Sequence, residues 1–335
     1  MISFEQLREQ LSSPKKIAIT THPKPDADAL GSSLALAGYL KKKNHSVRVI
    51  TPTDYPKFIQ WMEGNSSVTV YEGHEAECDP ILLDADIFFC LDFSTLSRID
   101  KMGDVVKKSL ALKVLIDHHL QPEHFADFEY WNDKKAATCE LIFDFIVQMG
   151  DKALIDIPIG ECIYAGIMTD TGSFRFAVTS SKIHQIISDL IEIGVNNSKV
   201  HRLVYDNNSE SKLRFLGFAL SEKLKVLPEY GVAYFSINSE ELKRFNSQTG
   251  DTEGLVNYAL SLEGITLAAI IIERPDGIKM SFRSSNNFSV NDFARAHFSG
   301  GGHRNAAGGL SKLTLKETEE KFLALLPEYK EQIHS

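Results

Sequence analysis

The chain has 335 residues, 43% of them hydrophobic, which is enough for a sizeable core and, by length, for two domains. Its 45 acidic and 36 basic side chains leave a formal charge of −9, which argues against a basic coat for long nucleic acid. It does not exclude a small anionic substrate held through bound cations.

Cys78, Cys90, Cys139 and Cys162 are widely spaced and form no CxxC pair, so they read as reduced thiols, not a disulfide frame or zinc site. The start, MISFEQLREQ, has no apolar signal region, and no run approaches the ~20 apolar residues of a membrane span. The expectation is a soluble, cytoplasmic protein that does not contact membranes.

In chain order, a short N-terminal helix precedes a buried strand at Lys15–Thr20 and a helix at Asp28–Lys43, with Leu30, Leu34, Ala37 and Leu40 on one face. Further strands are read at Ser46–Thr51, Asp86–Asp92 and Lys113–Asp117. Near-continuous apolar strands alternating with helices predict an α/β domain, a parallel sheet with helices on both faces. From Ala136 to about Leu220 the pattern is helical, with Thr179 or Ser180 as N-cap of a helix that ends before Gly194. After Leu227-Pro228, strands at Gly231–Ile237, Thr266–Glu273 and Ile278–Phe282 and a glycine-rich loop at Gly300–Gly309 predict a smaller α/β domain. The expected division is 1–210, a linker at 211–230, and 231–335.

Candidate chemistry gathers where the first-domain strands end. THPKPDADALGSS carries His22, Asp26 and Asp28; the third strand ends in Asp92; the fourth runs into Asp117-His118-His119; and AGIMTDTGSFRF brings Asp170. Ligands of parallel sheets lie at the carboxyl ends of strands, so these segments can converge. Taken singly, Asp28 reads as an N-cap, Asp92 as a turn residue and the histidine pair as surface. Taken together, converging carboxylates repel one another unless cations sit among them, and carboxylates with imidazoles suit Mn²⁺ or Mg²⁺. Two ions about 3.5–4 Å apart could then activate water for in-line attack on phosphorus.

In the second domain, Arg283 at a strand end and His303 in the glycine loop form a candidate phosphate clamp. Arg304 reads equally as a surface charge. Phe288 and Phe298 read as core more than as base-stacking residues, and Arg175 is a weaker candidate for facing the site.

HPKPDADALGSS, the aspartate of CLDFS, the DHH triplet at 117–119 and the aspartate of GIMTDTG resemble, in order, four motifs of the DHH phosphoesterase superfamily. SFRSS at 281–285 and GGGHRNAAGG at 300–309 resemble the DHH-associated C-terminal domain, so the likeness spans nearly the whole chain. Ala27 stands where many relatives carry glycine. The two-domain length resembles the nanoRNase/pAp-phosphatase branch.

The resemblance implies two Mn²⁺ ions, with Mg²⁺ or Co²⁺ as substitutes. His22, Asp26 and Asp92 would hold one; Asp28, His118, Asp170 and a shared Asp92 would hold the other. His119 would lie near the substrate phosphate or leaving group and Asp117 would orient a histidine, making Asp92, His118, His119 and Asp170 the catalytic set. Arg283, Gly301, Gly302, His303 and Asn305 would bind substrate across an interdomain cleft. The implied substrates are very short oligoribonucleotides and 3′-phosphoadenosine 5′-phosphate (pAp), not long duplexes, and a homodimer is compatible. Alternatives are a linear or cyclic dinucleotide phosphodiesterase and, in another class, a non-catalytic nucleotide- or RNA-binding protein.

Overall fold

A computed structural model describes residues 1–248, 250–285 and 287–334. The chain forms two compact units, Met1–Asn207 and Asn208–Ser335.

The first unit carries strands β1 (Lys16–Thr20), β2 (Ser46–Thr51), β3 (Thr69–Val70), β4 (Ile87–Leu91), β5 (Leu112–Asp117) and β6 (Phe128–Trp131). Its helices are α1 (Phe4–Gln10), α2 (Ala27–Lys42), α3 (Glu75–Leu83), α4 (Asp100–Lys108), α5 (Thr138–Gln148), α6 (Ile157–Asp170), α7 (Ser181–Ile193) and α8 (Asn197–Tyr205). The six strands pair in the order β3-β2-β1-β4-β5-β6, every neighbour parallel.

Alternate residues of each strand point to opposite faces, and both faces are buried. Ile17, Ile19, Phe89, Leu91, Val114 and Ile116 pack with α2, α5 and α6 on one side. Ala18, Phe88, Cys90 and Leu115 pack with Cys78 and Leu82 of α3 and Met102 and Val106 of α4 on the other. The strand order reverses between β1 and β4, and that is where an open parallel sheet leaves a crevice at its carboxyl edge. Ser180, not Thr179, caps α7, which ends at the left-handed Gly194. All four cysteines are buried and unpaired.

The second unit carries helices α9 (Glu210–Phe218), α10 (Ser239–Arg244), α11 (Leu255–Leu260), α12 (Val290–His297) and α13 (Leu315–His334). Its strands are β7 (Leu224–Leu227), β8 (Val232–Ile237), β9 (Leu267–Arg274), β10 (Gly277–Ser284), β11 (Gly301–His303) and β12 (Ala306–Ser311), in the mixed order β11-β12-β10-β9-β8-β7. Tyr234, Ala269, Met280, Phe282 and Ala307 face α12 and α13, and Ala233, Phe235, Ala268 and Ile270 face α9, α10 and α11.

Two segments differ from the sequence reading. Residues 211–230, expected as a linker, belong to this unit: Phe215 of α9 is buried in its core, and β7 pairs antiparallel with β8. The glycine stretch at 300–309 is a hairpin instead of a loop, with Gly301 opposite Gly308 and His303 opposite Ala306. Close packing requires glycine at Gly300, Gly302 and Gly309. A Cβ on Gly300 would lie 2.0 Å from the Gly308 carbonyl oxygen, and one on Gly309 would lie 2.9 Å from Phe298 Cβ.

Candidate active site

The first-domain candidates converge at the carboxyl edge of the parallel sheet. His22 follows β1, Asp92 follows β4, and His118 and His119 follow β5. Asp26 is the N-cap of α2: its Oδ1 accepts from the N–H groups of Asp28 and Ala29, each at 3.0 Å. Capping therefore belongs to Asp26, and Asp28 sits in the first turn, turned inward and fully buried. Asp170 is the last residue of α6. Close packing of α2, α5 and α6 brings its helix end to Asp28. A Cβ on Gly166 would lie 2.3 Å from Cys139 Sγ and 2.6 Å from Asp28 Oδ1.

Asp92 is the hub. Its backbone is left-handed, with φ 63°, a conformation that costs a non-glycine residue about 1–2 kcal/mol and turns its side chain into the crevice. His22 Nε2 lies 3.4 Å from Oδ2, while His118 Nε2 lies 3.4 Å from Oδ1, 3.6 Å from Asp170 Oδ2 and 3.8 Å from Asp28 Oδ2. His22, Asp26 and Asp92 offer donor atoms all within 4.8 Å of one another, and so do Asp28, Asp92 and His118.

Both histidines are oriented from behind. His22 Nδ1 lies 2.9 Å from the Pro23 carbonyl oxygen and His118 Nδ1 3.1 Å from that of Lys135. A proton donated at Nδ1 leaves the Nε2 lone pair aimed at the carboxylates, the arrangement of metal-ligating imidazole. Asp117 Oδ1 accepts from His119 N–H at 3.2 Å and lies 2.8 Å from His119 Nδ1, which sets that ring 3.6 Å from Asp92 Oδ1.

The charges are in tension. Burial and the neighbouring Asp92 charge push Asp28 up to about 7. Burial, with Asp28 and Asp26 nearby, holds Asp170 well above the usual carboxylate range. Burial opposes ionisation of Asp92 too, but hydrogen bonds from His118 and His22 hold it well below that range. Burial works against His22, yet the Asp92 hydrogen bond and the Asp26 charge raise it to about 9. Acidic groups take up protons where they crowd and imidazoles become charged beside them, the response expected of a donor set suited to cations.

In the second domain, Arg283 of β10 and His303 of β11 both stand opposite Ala306 of β12, so the three side chains share one sheet face. On that face α11 packs over β8 and β9, whereas β10, β12 and β11 present Ser281, Gly308 and Gly301. A Cβ on Gly308 would meet nothing nearer than the Met280 carbonyl oxygen at 3.7 Å. Arg283 and His303 thus flank a floor without bulky side chains.

Other candidates are engaged within their own domains. Gly302 N–H donates to Asn291 Oδ1 at 2.9 Å, which occupies one of the N–H groups expected to face an anion. Asn305 Nδ2 donates to Ser284 Oγ at 2.8 Å, and Arg304 donates to the Asn287 carbonyl. Phe288 and Phe298 are core residues. Arg175 Nε donates to the Gly172 carbonyl at 2.7 Å. Sequence reasoning passed over Thr138, whose N–H and hydroxyl reach Asp28 and Asp92.

Residues 16–167 match the model of the DHH family, N-terminal domain, and residues 229–333 match that of the DHHA1 domain. The crystal structure of an exopolyphosphatase-related protein from Bacteroides fragilis superposes with a TM-score of 0.94 at 37% identity, covering 99% of this chain and 97% of that one. The chain belongs to the DHH family. It is a phosphoesterase of that metal-dependent family. It is also 26% identical to the probable bifunctional oligoribonuclease and PAP phosphatase NrnA of Streptococcus mutans, over 97% of this chain and 98% of that protein. To the bifunctional oligoribonuclease and PAP phosphatase NrnA of Thermus thermophilus it is 29% identical, over 93% of this chain and 89% of that protein. Among the described residues, no helix is long and apolar enough to cross a membrane.

Proposed function

We propose that the protein hydrolyses phosphoester bonds in very short oligoribonucleotides and in pAp, giving AMP and phosphate from the latter, with two Mn²⁺ ions held by the DHH domain. The observation that carries this reading is Asp92, whose oxygens face different histidines, Oδ2 towards His22 and Oδ1 towards His118. A carboxylate has lone pairs enough to serve two cations at once. His22, Asp26 and Asp92 would hold one ion, and Asp28, Asp92, His118 and Asp170 the other. Mg²⁺ or Co²⁺ would suit the same oxygen and imidazole donors.

Bound there, divalent ions polarise phosphoryl oxygens and make water nucleophilic at neutral pH. The chain's own groups do the rest. The Pro23 and Lys135 carbonyls fix the ring orientation of His22 and His118. Asp117 holds His119 beside Asp92, where the ring can contact the phosphate or donate to the leaving oxygen. In the DHHA1 domain the planar fork of Arg283 grips a substrate phosphate and His303 adds a donor, above the small floor of Ala306 and Gly308. The relatives named oligoribonuclease and PAP phosphatase, matched over nearly their whole lengths, support this substrate class.

The test is a panel of two- to five-residue RNAs, pAp, cyclic dinucleotides and polyphosphate under Mn²⁺, with and without chelator. The highest kcat/KM is expected on the short RNAs and pAp, with no turnover in chelator. A higher kcat/KM on cyclic dinucleotides would move the assignment to a dinucleotide phosphodiesterase, and no cleavage of any member would leave a non-catalytic binding role.

A further inference from the structure

Helix α5 begins at the heart of the site without a side-chain cap of its own. Its N-cap is Ala137, which offers no acceptor, yet the first N–H groups of a helix need partners from outside it. They find them on one carboxylate. Thr138 N–H donates to Asp28 Oδ2 at 2.6 Å and Cys139 N–H donates to Asp28 Oδ1 at 2.8 Å. The Thr138 hydroxyl donates elsewhere, to Asp92 Oδ1 at 2.9 Å. A single buried residue therefore touches two acidic side chains, one from the first turn of α2 and one from the end of β4.

We propose that Thr138 is a positioning residue that fixes the spacing and orientation of Asp28 and Asp92 for cation binding. The inference rests on the two-ion reading of the site. Asp28 has little freedom, because its oxygens are held by the two N–H groups and α6 closes over it at Gly166. Asp92 is different. It stands on left-handed backbone just after β4, and the Thr138 hydroxyl donates to its Oδ1 from α5. A threonine hydroxyl is a neutral donor that does not titrate in the ordinary pH range, so this bond to Oδ1 does not depend on the charge state of the site.

The chemistry of the donor matters. Each carboxylate oxygen carries two lone pairs, so the hydroxyl occupies one site on Oδ1 and leaves the others for ligation. A neutral donor also orients Asp92 without cancelling the charge that draws the cation, which a lysine or arginine in its place would do.

The experiment compares wild type, Thr138→Val and Thr138→Ser. Valine keeps the shape of the side chain and both N–H bonds to Asp28 and removes only the hydroxyl; serine restores it. Mn²⁺ binding to the metal-free proteins is measured by calorimetry and by the electron paramagnetic resonance of free Mn²⁺, beside metal-free melting curves. Thr138→Val is expected to bind Mn²⁺ roughly 10–100-fold more weakly, the usual cost of losing a group that orients a ligand, with Thr138→Ser close to wild type. Should the valine variant fail to fold, Thr138→Ala carries the same comparison.

Wild-type affinity in the hydroxyl-free variant, or equal loss in Thr138→Ser, would overturn the inference and leave the two-ion reading standing. A wild type that binds no Mn²⁺ would overturn both.

Discussion

The two sheets of this protein expose functional side chains in opposite ways. In the parallel sheet, His22, Asp92, His118 and His119 follow strand ends, and they interlock with helix ends from α2, α5 and α6. Charge is concentrated there and every carboxylate depends on its neighbours. In the mixed sheet, Arg283 and His303 rise from strand backbones on a face floored by Ala306 and Gly308, and no acidic side chain shares their register row. One region brings carboxylate and imidazole groups together from distant segments. The other is built to leave room beside two cationic or donor side chains. Substitutions in the first should therefore disturb metal and chemistry together, while those in the second should disturb substrate alone.

The largest effect is expected at the hub. Asp92→Asn removes a charge from both donor groups and should lower kcat/KM by roughly 1000-fold under saturating Mn²⁺, about 4 kcal/mol of transition-state stabilisation. Near-normal turnover in that variant would dissolve the distinction between the two regions. Arg283→Ala should raise KM by roughly 10–100-fold, the worth of a charge-assisted hydrogen bond, with Mn²⁺ binding unchanged. Arg283→Lys should not recover it, because an ammonium lacks the planar fork. Loss of metal from the alanine variant would place Arg283 with the first region instead.

The smallest effect is a pH dependence confined to the DHH domain. Burial and the Asp92 charge raise Asp28 from 3.8 to about 7, and Asp92 and Asp26 raise His22, against the effect of burial, from 6.5 to about 9. Both groups bind protons more tightly when folded. The metal-free protein should therefore lose stability as pH rises through those two windows. Mn²⁺ must displace the same protons, so its stabilising effect should grow with pH, by up to about 1.4 kcal/mol per unit for each proton displaced. Melting curves with and without Mn²⁺ between pH 6 and 8.5 measure it, and a constant difference would contradict the coupling.

What the sequence disclosed follows from where each signal lies. The buried strands β1, β4 and β5 are largely apolar runs, and the acidic and histidine residues stand at or just after their ends, so strand ends and candidate donors were legible together. Strand β3 has only two residues and β6 is a half-buried edge, too short or too mixed to carry a pattern. The hairpin β11–β12 was hidden because glycine is a poor strand former; here it is the residue that fits the packing at Gly300 and Gly309. Thr138 was hidden for another reason: its partner Asp28 lies 110 residues away, and only the missing cap at Ala137 hints that α5 needs one. The capping role offered to Asp28 falls to Asp26, two residues earlier, which frees Asp28 to turn inward.

The central claim is that Asp92 bridges two cation positions formed by donors from separate segments. A crystal of the protein grown with Mn²⁺ and measured for anomalous scattering tests it directly. The account predicts two manganese peaks, one among His22, Asp26 and Asp92 and one among Asp28, Asp92, His118 and Asp170. A single peak, or none within reach of Asp92, would contradict it.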